Sequence, residues 1–274
     1  MRNAKYRQPQ MMRNFSAALC AAVATLMTFV AAAPAAECPR KDALGTSRVL
    51  AVDATTHPRV GLKSFPQTLP LGDREVVLTF DDGPWPATDH KILAALAQEC
   101  VRATFFLIGR SASAYPGWVR RMAAEGHTVA HHTWSHRNLK YMKPEAAIGE
   151  IDKGIAAVEA ALHGTATTIP STPFFRFPYF AMSPATLETL QKRGIAVFGA
   201  DVWASDWNPM TPAQQLKLLT ERLQVARKGI ILLHDPKGQT AAMLPAFLRY
   251  LRDNHYRVVH LVPADAKTVS GKAQ

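Results

Sequence analysis

The chain has 274 residues, enough for one barrel-sized core, and 48% of them are hydrophobic, which excludes an intrinsically disordered protein. Its formal net charge is +11, of which Arg2, Lys5, Arg7 and Arg13 account for four, leaving +7 after residue 35. The Lys and Arg residues are scattered, not striped along one face, and no nucleic-acid motif is present, so the charge speaks for solubility or for anionic glycans and envelope surfaces.

The first 36 residues read as a signal peptide. A basic stretch to Arg13 precedes an Ala-, Val-, Leu- and Met-rich run from Phe15 to Ala33, and Ala33-Pro34-Ala35 supplies a small-x-small cleavage pattern. The Ala-rich run is weakly hydrophobic and near the lower length limit for spanning a membrane, so cleavage after Ala35 or Ala36 is expected, with no stable span afterwards. The expected location is across the inner membrane, periplasmic or extracellular. Cys20 falls in the leader; Cys38 and Cys100 remain as an even pair suited to an oxidising compartment, and their pairing is left open. Residues 37–73 are dotted with Pro and Thr, lack strong periodicity and read as an N-terminal extension packing on the domain.

From residue 74 to 265, strands and helices alternate. Strands are expected at 75–80, 103–108, 127–131, 174–177, 195–200, 229–234 and 257–262. Helices are expected at 88–99, 116–125, 144–162, 184–193, 212–227 and 240–253. Seven strands separated by helices imply a parallel α/β arrangement. Residues 266–274 are a C-terminal tail. Nothing in the sequence specifies an oligomeric state.

Chemistry gathers at the ends of the apolar runs. Val76 to Phe80 stops on Asp81-Asp82-Gly83-Pro84. Successive strand side chains point to opposite faces, so both carboxylates can serve one site only if the chain leaves strand geometry there. His132 and His136 follow the run Thr128-Val129-Ala130, four apart, a spacing that lets two imidazoles converge on one ion. With one Asp they form a donor set for zinc or a neighbouring divalent ion that keeps an open position. His131 neighbours a proposed ligand and on a strand would face away from it. Arg176 lies in Phe174-Phe175-Arg176-Phe177-Pro178-Tyr179, Ile195 to Asp201 leads to Asp206-Trp207, and Ile230 to Leu233 ends on His234.

In that order, Thr79-Phe80-Asp81-Asp82-Gly83-Pro84, His132-Thr133-Trp134-Ser135-His136, Arg176-Phe177-Pro178-Tyr179, Asp206-Trp207 and Leu232-Leu233-His234 resemble the five motifs of the polysaccharide deacetylases, carbohydrate esterase family 4 with the NodB homology domain. The resemblance covers about residues 74 to 262. It implies a distorted (β/α) barrel and metal-dependent removal of acetyl from N-acetylated sugars, with zinc first and cobalt, manganese or nickel as alternatives. It further implies Asp81 as general base, Asp82, His132 and His136 as metal ligands, and Arg176 as the partner that orients and charge-balances Asp81. Tyr179 would offer a backbone N–H to the oxyanion, Trp207 would wall the acetyl pocket above Leu232, and His234 would be the general acid held charged by Asp206. The chain departs from the family pattern at His131, Phe180 and Trp203, where the family usually has Asn, Gly and Asp. Two other functions fit the same residues: a non-catalytic envelope glycan-binding protein, and an envelope metallo-amidase or esterase. The glycan itself stays open among chitooligosaccharide, peptidoglycan and exported polysaccharide.

Overall fold

The structure is a computed structural model and describes Cys38 and residues 40–264. The leader expected at 1–36 and the tail expected at 266–274 lie outside the described residues.

The apolar runs form parallel strands because each is covered on both faces. β1 (Thr46–Val52), β2 (Arg59–Val60), β3 (Glu75–Asp81), β4 (Thr104–Leu107), β5 (Thr128–His131), β6 (Phe174–Phe175), β7 (Ala196–Phe198), β8 (Val202–Trp203), β9 (Gly229–His234) and β10 (Arg257–Pro263) belong to one sheet. Every strand pair in it is parallel. The helices between them are α1 (Pro86–Gln98), α2 (Gly109–Ala114), α3 (Pro116–Ala124), α4 (Pro144–His163), α5 (Pro184–Lys192), α6 (Pro212–Ala226) and α7 (Gly238–Asp253). Five of these start with Pro at the first turn (α1, α3, α4, α5 and α6). A fixed φ and a missing N–H cost nothing at that position.

All seven strands expected from the apolar runs are present, and the described residues add β1, β2 and β8. Residues 37–73 therefore do more than pack on the domain. β1 pairs with β10 over Thr46 to Val52, and β2 pairs with β7. β1 alternates between half-buried and exposed positions, so it has no continuous apolar run to read. A disulfide between Cys38 and Cys100 ties the start of this segment to the turn after α1.

Strand alternation builds two cores on β3. Val76, Leu78 and Phe80 face outward into the layer shared with α1 and α7, where Ile92, Leu96, Leu244 and Phe247 are fully buried. Val77 faces inward with Phe106, Phe174, Phe198 and Ile230. Thr79 and Asp81 share the inward face with Val77 by the same period of two. The strands end level with one another. Asp81 is in register with Phe106 of β4 and His234 of β9, and His131 with Leu107 and Phe175. That register brings the ends of β3, β5, β6 and β9 to one rim.

Candidate active site

At the rim the backbone leaves strand geometry. Asp82 has φ 80, in the left-handed region, so its carboxylate turns to the same cleft as that of Asp81. Thr133, His136, Tyr179, Phe180 and Ser205 also hold φ between 53 and 64. Non-glycine residues in this region are uncommon and cost of order 1 kcal/mol or more each, and such strain clusters at functional sites. Phe180, one of the departures from the family pattern, carries φ 55 where a glycine would be unstrained.

Asp81 is buried and salt-bridged to Arg176, whose Nη1 donates to its Oδ1 at 2.7 Å. Arg176 is fully buried, so each of its donors needs a partner. Nη1 also donates to the Thr79 hydroxyl, Nη2 to the Gly199 carbonyl at 2.8 Å, and Nε to the Phe198 carbonyl. The guanidinium lies 4.2 Å from the centroid of the Phe106 ring. With all three nitrogens hydrogen-bonded, the fork is rigid and so is the Asp81 carboxylate it holds.

Asp82, His132 and His136 offer ligand atoms that all lie within 4.8 Å of one another. His132 Nδ1–H donates to the Arg176 carbonyl at 2.7 Å, which leaves Nε2 with its lone pair toward Asp82 Oδ1, 3.4 Å away. His136 Nε2 is 3.2 Å from the same oxygen, and its Nδ1 is 3.1 Å from the Tyr179 hydroxyl. Asp82 Oδ1 is buried and has no hydrogen-bond partner. Lone pairs converging on an unsatisfied carboxylate oxygen repel one another unless a cation or proton sits among them. The donor set, two imidazoles and a carboxylate with both rings held by outer partners, suits a divalent transition metal. The residues fit the metal that the sequence implies. Burial would raise the Asp82 pKa, but the charge that His132, His234 and His136 carry when protonated holds it well below the usual carboxylate range.

Across the cleft, His234 Nδ1–H donates to Asp206 Oδ1 at 2.7 Å. Asp206 is fully buried, and its other oxygen accepts from the His234 backbone N–H and the Thr240 hydroxyl. Burial alone would lower the His234 pKa. The Asp206 hydrogen bond and charge, then Asp81 and Asp82, outweigh burial and raise it to about 9. Trp207 meets the His234 ring edge-on at 5.9 Å and is half exposed, while Leu232 is buried beside it.

These side chains line one cleft of about 500 Å³, which includes Asp81, Asp82, His132, His136, Tyr179, Trp207, Leu232 and His234. Arg176 and Asp206 stand behind it. All ten site residues named from the sequence are thus brought to this cleft or to its wall. His131 faces away: it is fully buried, with Nε2 3.6 Å from Glu159 on α4. Phe177 of the Arg176 motif and Phe180, a departure from the family pattern, line the same cleft, and so do two residues that sequence reasoning missed, Lys63 and Lys237. Lys63 comes from a segment without periodicity, and no sequence signal places it here. Glu150 was also missed. Its carboxylate accepts from the Ser135 N–H and hydroxyl and its carbonyl from Trp134 N–H, so α4 holds the loop between the two histidines.

A model of the family described as polysaccharide deacetylase matches residues 69–198. Over 197 residues the chain is 35% identical to a chitooligosaccharide deacetylase of Bradyrhizobium sp. (strain ANU 289), covering 70% of this chain and 85% of that protein. The chain belongs to the polysaccharide deacetylase family. Another family member, a peptidoglycan-N-acetylglucosamine deacetylase of Listeria monocytogenes, is 31% identical over 68% of this chain but only 38% of its own length. Among solved structures, the Bdellovibrio bacteriovorus peptidoglycan deacetylase Bd3279 superposes with a TM-score of 0.73 at 28% identity, over 84% of this chain and 62% of that one. The chain thus spans most of the chitooligosaccharide relative and under two thirds of either peptidoglycan relative. Among the described residues of this family member, no helix is long and apolar enough to cross a membrane.

Proposed function

We propose that this protein is a metal-dependent N-deacetylase of envelope or exported glycans, acting outside the inner membrane. It would hydrolyse the acetamide of N-acetylglucosamine-type residues to a free amine and acetate. The observation that carries this reading is the convergence of three differently tuned units on one cleft: Asp81 fixed by Arg176, the Asp82-His132-His136 donor set, and His234 held by Asp206.

Asp82, His132 and His136 would hold the metal, zinc being the first choice and cobalt, manganese or nickel alternatives. A divalent cation there would polarise the acetyl carbonyl and lower the pKa of a water. Arg176 occupies Asp81 Oδ1, leaving Oδ2 to take the proton of the attacking water as general base. The Tyr179 backbone N–H is the proposed donor to the developing oxyanion, a role that is often among the largest catalytic contributions. Trp207 and Leu232 would enclose the acetyl methyl. An amine leaves poorly unless protonated. His234 would supply that proton from Nε2, since Nδ1 is committed to Asp206. The proton taken by Asp81 and the one given by His234 balance when His234 is recharged from solvent and Asp81 deprotonates.

The test is acetate release by the purified protein from chitooligosaccharides, peptidoglycan strands and N-acetylated exopolysaccharide. Release should stop on chelation and return with zinc or cobalt. A metal-free preparation with full activity would exclude the metal role, and peptide-stem or O-acetyl ester cleavage without amine production would replace the deacetylase reading.

A further inference from the structure

Each acid of the active site already has partners of its own. Asp81 pairs with Arg176 at 2.7 Å, Asp206 with His234 at 2.7 Å, and Asp82 faces His132 and His136. The same cleft is nevertheless lined by Lys63 and Lys237. A second cavity of about 480 Å³ shares His136 and Tyr179 with the cleft, and Arg137 and Tyr141 line it. Among the described residues, none of Lys63, Lys237 and Arg137 has a carboxylate within salt-bridge distance. Their charge is surplus to the catalytic machinery.

Two of these cations are built into place. Gly61 has φ +106, and a Cβ there would lie 2.6 Å from the backbone of Gly199 and Ala200. Only glycine lets the segment lie this close, and the Lys63 N–H then donates to the Ala200 carbonyl at 2.8 Å. Lys63 Nζ stands 4.3 Å from the centroid of the Trp203 ring, whose other cation neighbour is Arg222 at 5.2 Å. A lysine held over an aromatic face loses less freedom on meeting an anion. Lys237 caps α7, three residues after His234, and its N–H donates to the His234 carbonyl. On the far side, Tyr141 is 82% exposed beside Arg137, an aromatic face on which a flanking sugar can lie.

We propose that Lys63, Lys237 and Arg137 form a cationic rim that selects glycan strands bearing carboxylates on sugars next to the one deacetylated. This rests on the deacetylase reading above and names its substrate class as an anionic N-acetylated glycan. A carboxylate on such a strand can be the lactyl ether of a cell-wall sugar or a uronic acid of an exported polysaccharide. Both present the same charge to the rim, and neutral chitooligosaccharides present none.

The experiment measures kcat/KM for acetate release from peptide-free cell-wall strands with free carboxylates and from the same strands with every carboxylate converted to the methylamide. A uronate-containing N-acetylated oligosaccharide, free and methylamidated, forms a parallel pair and distinguishes the two sources. The charged strand should exceed its amidated twin by about ten-fold or more at low salt, the ratio that one good ion contact supplies. The ratio should fall toward one as salt rises from about 10 mM to about 1 M, where screening shortens from roughly 30 Å to 3 Å. It should also fall in Lys63→Gln, Lys237→Gln and Arg137→Gln and be retained in Lys63→Arg. A ratio near one in the parent protein, or a ratio that the Gln variants leave untouched, overturns the rim. Strand binding to Asp81→Asn by calorimetry reads the same preference without turnover. Absence of acetate from every strand would overturn the deacetylase reading, whereas a carboxylate preference in binding would still support the rim and equal binding would overturn it.

Discussion

Two adjacent carboxylates, Asp81 and Asp82, carry different work because one residue of left-handed backbone separates their surroundings. Asp81 sits inside the barrel on an arginine that four hydrogen bonds hold in place, and Asp82 faces two imidazole lone pairs. Asp81→Asn should therefore keep bound metal and lose turnover by about 10²- to 10⁴-fold, the usual weight of a general base. Asp82→Asn should lose the metal itself. Metal content by mass spectrometry, beside acetate release, separates them, and equal metal loss in both would mean that the pair is misassigned. His234 gives a second residue-level prediction. Its pKa is about 9, so the proton-donating form is present below that pH and disappears above it. Acetate release should fall on the alkaline side, at or below about pH 9, because a cation at Asp82 would offset part of the charge that raises His234. Asp206→Asn removes the hydrogen bond and charge that oppose burial, so the His234 pKa drops and the alkaline limb should move to lower pH by about one unit or more. His234→Ala should slow amides more than an activated acetyl ester, whose leaving group needs no proton. Equal slowing of both, with metal intact, would make His234 a substrate-positioning group.

Elements explain how the metal loop is held, and here one glycine decides. A Cβ on Gly154 of α4 would lie 2.4 Å from the Thr133 carbonyl carbon and 2.6 Å from its oxygen. The helix can approach the His132–His136 loop, and Glu150 can reach Ser135, only because Gly154 has no side chain. Gly154→Ala should cost about 1–3 kcal/mol as an overpacked contact. It should also weaken metal binding disproportionately, since the displaced backbone lies between the two imidazoles. Thermal unfolding of the metal-free protein and metal affinity of the folded protein give the two numbers, and a loss of stability with unchanged affinity would mean that the loop is not set by α4. This contact also marks the boundary of what the sequence discloses. β3, β5 and β9 were legible because burial on both faces writes a continuous apolar run, and Asp81, His132 and His234 were legible because polar chemistry interrupts such runs at their ends. β1 was not, because it alternates at the sheet margin, and β2 and β8 have two residues each without the aromatic run that marks the equally short β6. Gly154, Glu150, Lys63 and Lys237 act through contacts between elements distant in the chain, and no local pattern encodes those.

For the molecule as a whole, buried titratable groups set opposing slopes of stability with pH. Burial first, with neighbouring cations, lowers His127 and His131 to about 3 and His260 to about 4. Unfolded histidines take up protons below about 6.5. The unfolded state therefore binds more protons between those values, and this contribution to stability is lost as pH falls from about 6.5. Asp89 and Asp235, both fully buried behind the Asp81-Gly83 turn and the His234 loop, act in the other direction. Burial raises Asp89 to about 7, and burial with the charge of Asp89 raises Asp235 well above the usual range. The folded state keeps a proton that an unfolded aspartate releases near 3.9, so their contribution falls as pH rises from about 4 to 7. Asp235→Asn isolates this slope. Asparagine has the shape of the protonated acid and no proton to lose, so the variant should gain on the parent as pH rises through that range. The melting-temperature difference, variant minus parent, is measured by calorimetry at matched ionic strength from pH 4 to 7. It should increase steadily with pH, whereas a difference that stays flat would mean that Asp235 releases its proton in the folded protein as readily as in the unfolded chain.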